Sequence, residues 1–278
     1  MFAMGIGDRA LGIYTYVEFS ACVTALLPVI AASNIRHRAD PTLRMPARWA
    51  QRVGRAACFL TPLWNFTIEG DAPPDISSKP YVVIANHESQ ADPFLLACLP
   101  WEMRWVVKEE LFKIPVVGWA MKLGGEIPLR RGDGISVRSM LAECERAIAS
   151  GISVMIFPEG TLTKNRELLA FRDGAFDLAI RTKAPVLPVA VAGTESMAPR
   201  HSFWLGRGRG VARILPPIPT AHLTAADVGT LRDASRDAIM AALPDLRTRH
   251  ARDGAPPGSV EKRGRADGSP RPFLDLDR

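Results

Sequence analysis

Short apolar runs alternate with longer stretches of helical periodicity through most of the chain, from Asn65 to Leu243. Each short run predicts a buried strand, and apolar positions spaced three and four apart predict helices. This alternation is typical of an α/β fold in which helices flank a mixed central sheet. The predicted strands are Phe66–Glu69, Tyr81–Ala85, Trp105–Val107, Glu126–Leu129, Ser153–Phe157, Val186–Ala190 and Val211–Leu215, and the predicted helices are Pro93–Leu99, Val116–Lys122, Ile135–Ala149, Gly174–Thr182 and Ala225–Leu243.

The N-terminal part of the chain has a different pattern. Ala10–Ala32 is apolar except for Glu18, and it is long enough to span a bilayer, which takes about 20 apolar residues. Glu18 and Pro28 nevertheless make it a poor spanning helix, and its length and the lack of a basic start argue against a signal peptide. If the segment spans, Arg36 and Arg38 behind it favour a main domain in the cytoplasm.

The segment Pro41–Leu63 predicts an amphipathic helix with a basic face beside an apolar one. Such a helix, with a tryptophan on its apolar face, suits the interface of an anionic membrane. The alternative is a helix packed on the domain with its arginines in water. We favour the membrane interpretation because the helix directly follows the apolar segment. The basic face carries Arg44, Arg48, Arg52 and Arg55, and the apolar face carries Trp49, Val53, Ala56 and Leu60.

Composition narrows the function classes. Hydrophobic residues make up 47% of the 278 residues, and the net charge of +6 favours an anionic partner, meaning nucleic acid, an anionic membrane or a phosphorylated substrate. The four cysteines lack metal-ligand or redox-motif spacing, which indicates reduced thiols. We expect membrane-associated helices in residues 1–64, the α/β domain in residues 65–246, and a disordered tail rich in Gly, Pro and charge in residues 247–278.

The first candidate site follows the apolar run Tyr81–Ala85. His87 comes directly after this run, and Asp92-Pro93 predicts a helix start with Asp92 as the N-cap. Loops at strand ends are where α/β folds place catalytic groups. A carboxylate beside an imidazole fixes its tautomer and stabilises the imidazolium formed in base catalysis. Taken alone, a His and an Asp at this spacing are more often an unrelated loop histidine and a capping residue.

A second apolar run, Val154–Phe157, also ends in a turn. The turn contains Pro158, Glu159 and Gly160, and glycine permits a positive φ or the close approach of a ligand to the backbone. An ordinary strand-ending turn with a solvated glutamate has the same composition. The pattern alone therefore leaves both interpretations open.

The two segments resemble motifs of the glycerolipid acyltransferase family. Asn86, His87 and Asp92 match its first motif, Asn-His-x-x-x-x-Asp, and Phe157–Thr161 matches its third, Phe-Pro-Glu-Gly-Thr. The second and fourth motifs are matched more loosely, and all four occur in the family's order within residues 65–215. The looser matches are Gly125, Ile127 and Arg131 for the second motif and Val186-Leu187-Pro188-Val189 for the fourth.

The resemblance implies how the reaction would proceed. His87 would be the general base that takes the proton from the acceptor hydroxyl, and Asp92 would be its orienting partner. The hydroxyl would attack an acyl thioester directly, without an acyl-enzyme intermediate. No cofactor is implied, because acyl-CoA or acyl-carrier protein would serve as the acyl donor substrate.

The resemblance also implies which residues bind the substrate. Arg131, helped by Arg130, would bind phosphate through bidentate guanidinium contacts. Lys108 would bind phosphate or stabilise developing negative charge, although a solvated lysine is an equal alternative. The remaining matched residues, which would bind the acceptor or shape the site, are Glu159, Gly160 and Thr161.

The chain departs from the family pattern at two positions. Leu162 stands where many relatives have an arginine that is linked to phosphate binding, which leaves the exact acceptor open. Arg130 stands where many relatives have aspartate, which adds positive charge to the site. We expect lysophosphatidic acid as the acceptor, because Arg130, Arg131, Lys164 and Arg166 suit an anionic head group.

These features together predict a membrane-associated acyltransferase whose catalytic domain faces the cytoplasm. It would move a fatty acyl group from an acyl thioester to the sn-2 hydroxyl of lysophosphatidic acid and release phosphatidic acid. The alternatives are another lysolipid acceptor and a non-catalytic membrane lipid-binding protein, although the latter has no need for His87 together with Asp92. A metal-dependent hydrolase using His87, Glu88 and Asp92 lacks a second His-rich motif. No nucleic-acid motif accompanies the basic charge, so we expect no nucleic-acid partner.

Overall fold

The computed structural model describes residues 6–40, 42–163, 167–197 and 205–252. The order and directions of the strands confirm the predicted mixed central sheet. Each predicted strand is present, with small shifts at its ends. The strands are β1 (Trp64–Glu69), β2 (Val82–Ala85), β3 (Met103–Lys108), β4 (Ile127–Leu129), β5 (Ser153–Ile156), β6 (Val186–Ala192) and β7 (Gly208–Ile214). They follow the order β1-β7-β6-β2-β5-β3-β4, and every neighbouring pair is parallel except β6 and β7.

All the predicted helices are also present in the described residues. They are α1 (Ile6–Arg36), α2 (Arg44–Leu60), α3 (Asp92–Ala97), α4 (Val117–Gly124), α5 (Gly134–Ala149), α6 (Gly174–Thr182) and α7 (Val228–Arg252), together with short 3₁₀ turns at Glu109–Lys113, Thr194–Ser196 and Ala225–Asp227. Some predictions concern residues outside the described ranges. These are most of the predicted tail, residues 253–278, and the basic residues Lys164 and Arg166.

Helix α7 continues beyond its predicted end at Leu243. A proline such as Pro244 normally ends a helical pattern, because it lacks a backbone N–H and clashes with the preceding turn. Here the additional turns are held by tertiary contacts: Leu246 is fully buried, and Asp245 pairs with Arg213 of β7 at 2.8 Å. Packing therefore outweighs the local cost of the proline, and the first residues of the predicted tail are helical.

The central strands β2 and β5 are buried on both faces, which explains their continuous apolar runs. Alternate side chains point to opposite faces. Val82, Ile84 and Val154 pack with residues of α5, α6 and α7, whereas Val83 and Met155 pack with α3 on the other face. Because β2, β5 and β6 are parallel, the loops that follow their carboxyl ends meet at one edge of the sheet.

The N-terminal helices pack on the domain. The apolar face of α2 contributes Val53 and Ala56 to a cluster with α1 and α4, as the alternative interpretation predicted. Leu60, at the end of the same face, is 54% exposed. Glu18, the charge within the apolar segment, accepts hydrogen bonds from the Thr61 hydroxyl and the Cys22 thiol. These partners explain how a glutamate is accommodated there.

Helix α1 nevertheless keeps an apolar surface. Its segment Ala10–Arg36 is long and apolar enough to cross a membrane, and only 22% of its most apolar stretch is buried. Ile13 is 54% exposed and Val17 is 62% exposed, one turn apart on the same side of the helix. Exposed apolar side chains grouped in this way are typical of surfaces that meet a membrane or another protein.

Candidate active site

His87 lies in the loop after β2, where the chain leaves the buried sheet. The preceding residue, Asn86, anchors this loop through its side-chain amide, which donates to the carbonyl of Val191 and accepts from the N–H of Val191, both at 2.8 Å. Asn86 thereby completes the pairing of β2 with β6 beyond the last strand residue. The loop conformation of His87 is thus fixed by two hydrogen bonds to the neighbouring strand.

The imidazole of His87 and the carboxylate of Asp92 form a dyad. Nδ1 of His87 lies 2.8 Å from Oδ2 of Asp92, and Asp92 is fully buried. A carboxylate accepts hydrogen bonds only, so Nδ1 carries the proton of the contact and the neutral ring presents Nε2 as a lone-pair acceptor. The ring also stacks on Phe157 with centroids 4.0 Å apart. The predicted proximity of His87 and Asp92 is confirmed.

Asp92 is held by the loop and not by a capping bond. It is the first residue of α3, while Ala91 occupies the N-cap position, so the predicted N-cap role of Asp92 is wrong. Its carboxylate is turned toward the loop, where Oδ2 accepts the backbone N–H of Ser89 at 2.9 Å and Oδ1 accepts the hydroxyl of Thr194. These donors satisfy a buried carboxylate and leave it aligned with the imidazole.

Glu159 joins the two motif-bearing loops. Its Oε1 accepts the backbone N–H of His87 at 2.8 Å, and its Oε2 accepts the backbone N–H of Leu169 at 3.0 Å. The Thr163 hydroxyl donates to the same carboxylate, and the Thr163 N–H donates to the carbonyl of His87. Burial raises the pKa of Glu159, while these donors oppose the shift. The buried carboxylate is thus surrounded by donors from its own chain, which favours site shaping among the roles expected for it.

Gly160 makes room for a basic side chain. Its φ of +67° lies in the left-handed region, and a Cβ added there would stand 2.7 Å from Nε of Arg172. The charge of Arg172 also acts on Arg131: partial burial lowers the pKa of Arg131, and the positive charge of Arg172 lowers it further. Arg131 after β4 and Arg172 beside Gly160 are thus two exposed arginines whose charges repel each other. Neither has an ion-pair partner among the described residues.

The other predicted site residues lie in different surroundings. Arg130 is exposed and makes a two-pronged contact with Glu109 at 2.7 and 3.0 Å. Lys108 is exposed and 3.7 Å from Glu110. Thr161 is half-buried beside Gly160. The basic side chain whose charge acts on Arg131 is consequently Arg172, which the sequence interpretation missed.

A buried ionic cluster braces both loops of the dyad. The Glu88 side chain is only 2% exposed, and its Oε1 accepts from Nη2 of Arg247 at 2.6 Å. Burial raises the pKa of Glu88, a hydrogen bond with Glu195 raises it further, and Arg247 lowers it. Glu88 follows His87 in the chain and Glu195 follows Thr194. The cluster therefore ties α7 to the loops that carry the base and support its partner.

Arg247→Met is expected to destabilise the protein and to slow turnover. It removes the cation beside the buried carboxylate of Glu88. The free energy of unfolding should fall by about 2 kcal/mol, because the Arg247 side of this pair keeps partial access to solvent. The loop carrying His87 then loses its brace, so kcat should fall more than the acceptor KM rises. Thermal unfolding and steady-state kinetics would measure both effects.

The matched control is Arg249→Gln, which removes an exposed arginine of the same helix from an exposed pair with Asp245 and should have little effect. Adding Glu88→Gln to Arg247→Met should recover much of the lost stability, because the uncompensated carboxylate is then gone. Equal behaviour of Arg247→Met and Arg249→Gln would contradict the bracing role.

Three residues of the site carry no clear sequence signal. Arg247 falls in the segment that composition predicted to be a tail, and Thr194 lies far along the chain from Asp92. Arg172 offers a weak signal, since it is a basic residue just beyond the third motif and just before α6. No group of three or more His, Cys, Asp or Glu side chains suited to hold a metal occurs within the described ranges. The arrangement thus supports proton transfer by an oriented imidazole.

Comparison with known proteins agrees with this site. A family model described as Acyltransferase matches residues 65–192, which include the dyad and the third motif. The chain is 36% identical over 147 residues to 1-acyl-sn-glycerol-3-phosphate acyltransferase BAT2, chloroplastic, of Brassica napus, covering 53% of this chain and 43% of that protein. It is 33% identical over 175 residues to the human 1-acyl-sn-glycerol-3-phosphate acyltransferase alpha, covering 62% of this chain and 61% of that protein.

A solved structure supports the fold. The crystal structure of the 1-acyl-sn-glycerophosphate (LPA) acyltransferase PlsC from Thermotoga maritima superposes with a TM-score of 0.71 at 23% sequence identity, covering 88% of this chain and 99% of that one. The matched region spans less than two thirds of the Brassica napus and human relatives. The family model, the curated relatives and the shared fold lead to one conclusion: residues 65–192 of this chain match the acyltransferase family, and the chain is similar to 1-acyl-sn-glycerol-3-phosphate acyltransferases.

Proposed function

We propose that this protein transfers a fatty acyl group from an acyl thioester to the sn-2 hydroxyl of lysophosphatidic acid and so produces phosphatidic acid. The observation that carries the proposal is the His87–Asp92 dyad, whose 2.8 Å contact leaves Nε2 as the base. The curated relatives at 33% and 36% identity are named as enzymes of this kind, which supports the same acceptor.

The proposed reaction is a direct acyl transfer. Nε2 of His87 takes the proton of the acceptor hydroxyl as its oxygen attacks the thioester carbonyl, and Asp92 stabilises the imidazolium that forms. The tetrahedral intermediate then collapses, the carbon–sulfur bond breaks, and the imidazolium returns the proton to the leaving thiolate. The products are the ester and a free thiol, and the dyad regains its starting protonation state.

The phosphate of the acceptor would bind to Arg131 and Arg172. Both guanidinium groups are exposed, and each lacks a carboxylate partner in the described part of the chain, so an incoming phosphate would relieve their mutual repulsion. Arg172 would supply the charge that Leu162 does not. Glu159 and Gly160 would shape the site, since Gly160 leaves space for Arg172. Arg130 and Lys108 remain candidates to support the phosphate from the rim.

The acyl donor and the membrane complete the proposal. Acyl-CoA or acyl-carrier protein would deliver the thioester, and no cofactor enters the reaction. The acceptor is a lipid, so the site would work at an anionic membrane surface, with the exposed face of α1 in contact with it and the catalytic domain on the cytoplasmic side.

Thiol release with a panel of lysolipids tests the proposed function. We expect turnover with an acyl thioester and lysophosphatidic acid, and slower turnover with lysophosphatidylcholine at equal concentration. A second candidate is an acyltransferase for a different lysolipid, which Leu162 favours by removing the arginine usual after the third motif. Faster turnover with lysophosphatidylcholine would select that candidate, and no thiol release with any lysolipid would reject both.

Charging the exposed face of α1 is expected to weaken membrane binding. In Ile13→Asp/Val17→Asp, two side chains exposed on one side of α1 lose their favourable transfer to lipid, worth about 1.5–3 kcal/mol for each fully buried aliphatic side chain. Vesicle co-sedimentation should therefore show at least a tenfold weaker partition. Met240→Asp on α7, also an exposed apolar position, is the matched control. Equal sedimentation of the two variants would contradict the role of α1.

A further inference from the structure

A second basic site lies away from the dyad, beside α2. Its cavity has a volume of about 460 Å³ and is lined on one side by the basic face of α2, with Arg44, Arg48, Arg52 and Arg55. The opposite wall includes Trp101 and the segment of Gly151, Ile152 and Ser153, which leads into β5. A space of this size accommodates a small ligand or a lipid head group.

The cavity carries an excess of positive charge. Glu102 is its one acidic lining residue, and it pairs with Arg48 and, at 3.5 Å, with Arg44. Arg52 and Arg55 have no carboxylate partner in the described ranges. Burial lowers the pKa of Arg52, and the charges of Arg48 and Arg55 lower it further. A bound anion would relieve this repulsion.

The wall of the cavity also contains a buried hydrogen-bond donor without an acceptor among the described residues. Trp101 is 4% exposed, and its indole Nε1–H makes no hydrogen bond with any described residue. Arg44 is already engaged, since its Nε lies within ion-pair distance of Oε2 of Glu102 at 3.5 Å and its Nη2 donates to the carbonyl of Gly151 at 3.0 Å. Unpaired buried donors are costly and uncommon in native proteins. Such a donor beside Arg52 and Arg55, which have no carboxylate partner in the described ranges, favours an acceptor-rich ligand, while Arg52 is held in place by stacking on Trp49 at 4.2 Å.

The position separates this cavity from the reacting groups. Trp101 precedes β3, and Gly151, Ile152 and Ser153 lead into β5, so the cavity is at the amino ends of these strands. His87 lies beyond the carboxyl end of the parallel strand β2. The two sites are thus separated by at least the length of a strand, roughly 13 Å. The acceptor phosphate at Arg131 and Arg172 cannot occupy both.

We infer that the cavity between α2 and the amino ends of β3 and β5 binds a phosphate group, donated either by a phospholipid head group or by a free phosphate compound. Phosphate offers several charged acceptor oxygens, which match a wall of guanidinium forks and an indole N–H. This phosphate site does not depend on the proposed reaction. It gives the α2 arginines one defined ligand in place of a general attraction to an anionic membrane.

Phosphate titration of the full chain tests the inference. The measurement is calorimetric binding of inorganic phosphate in the Arg131→Gln/Arg172→Gln background, which removes the proposed acceptor site. Arg52→Gln/Arg55→Gln should bind at least about tenfold more weakly, as expected for lost hydrogen bonds to a charged group. Trp101→Phe keeps the ring and removes only the indole N–H, and should weaken binding by about tenfold for the same reason. Arg138→Gln, an exposed arginine of α5, is the control.

Two arms distinguish the sources of the phosphate. Dihexanoyl phosphatidylglycerol, used below its micelle concentration, should compete with inorganic phosphate if the natural ligand is a lipid head group, whereas binding of phosphate alone would assign a free phosphate compound. Either outcome supports the site. The inference is overturned if the background protein binds no phosphate, or if the Arg52/Arg55 and Trp101 variants bind it as tightly as Arg138→Gln while their circular dichroism is unchanged.

Discussion

His87→Ala is expected to remove nearly all turnover while leaving the fold intact. The substitution deletes the only proton acceptor of the proposed reaction, and general-base catalysis contributes about 10²- to 10⁴-fold. The side chain stacks on Phe157 and bonds to Asp92, but the backbone contacts of the loop run through Asn86 and Glu159 and are kept. Thiol release under saturating substrates would measure kcat.

Asp92→Asn tests the orienting half of the dyad. An amide at this position can donate to Nδ1, which would place the ring proton on Nε2 and abolish the base. With the amide nitrogen in the place of Oδ2, the Thr194 hydroxyl keeps its acceptor, whereas the Ser89 N–H loses the oxygen that it shares with Nδ1. The loss should therefore appear mainly in kcat, with a smaller decrease in thermal stability.

The matched control for both variants is Gln90→Ala, which changes an exposed residue of the same loop and should retain normal kcat. Turnover of His87→Ala or Asp92→Asn within a factor of a few of Gln90→Ala would reject the general-base mechanism, provided that circular dichroism shows folded protein.

Arg131→Ala should raise the KM for lysophosphatidic acid far more than the KM for the acyl thioester, and Arg172→Ala should do the same. Each substitution removes a charge-assisted contact worth about 1.5–3 kcal/mol, or roughly 10- to 150-fold. The motivating observations are that Gly160 makes room for Arg172 and that the positive charge of Arg172 lowers the pKa of Arg131. In the double variant, the KM for lysophosphatidic acid should rise by less than the product of the two single increases, since neighbouring contacts to one phosphate are not additive.

Arg138→Ala is again the control, since it removes one exposed arginine of α5 that has no ion pair among the described residues. Equal rises in the KM of donor and acceptor would reject the phosphate assignment. An effect confined to lysophosphatidic acid, with lysophosphatidylcholine unaffected, would show that these arginines recognise a phosphate monoester.

Local patterns were sufficient to predict the elements, whereas the resemblance to a family was needed to single out His87 and Asp92. The buried strands β2 and β5 appear as uninterrupted apolar runs because both of their faces are covered, and the residues after them are polar because the chain there leaves the sheet. His87, Asp92 and the turn at Gly160 follow these strands directly, so their meeting at one edge follows from parallel pairing. Even the antiparallel partner β7 was recognisable as a strand by its own periodicity.

The tertiary structure determined which residues of distant segments contact one another. The sequence contains no pattern that pairs Arg247 with Glu88, Thr194 with Asp92, or Arg172 with Gly160, because each contact joins residues brought together only when distant elements pack.

Packing also corrected two local interpretations. Pro244 predicts the end of a helix, but α7 continues beyond it because Leu246 is buried. Asp92 predicts an N-cap, but its carboxylate is hydrogen-bonded to the imidazole of His87. In both cases a local preference worth a few kcal/mol or less is outweighed by burial and hydrogen bonding that only the assembled fold supplies. The sequence by itself thus determined which segments form strands and helices and where the reacting residues lie along the chain. The fold determined which side chains hold those residues in place, since that depends on contacts between segments far apart in the chain.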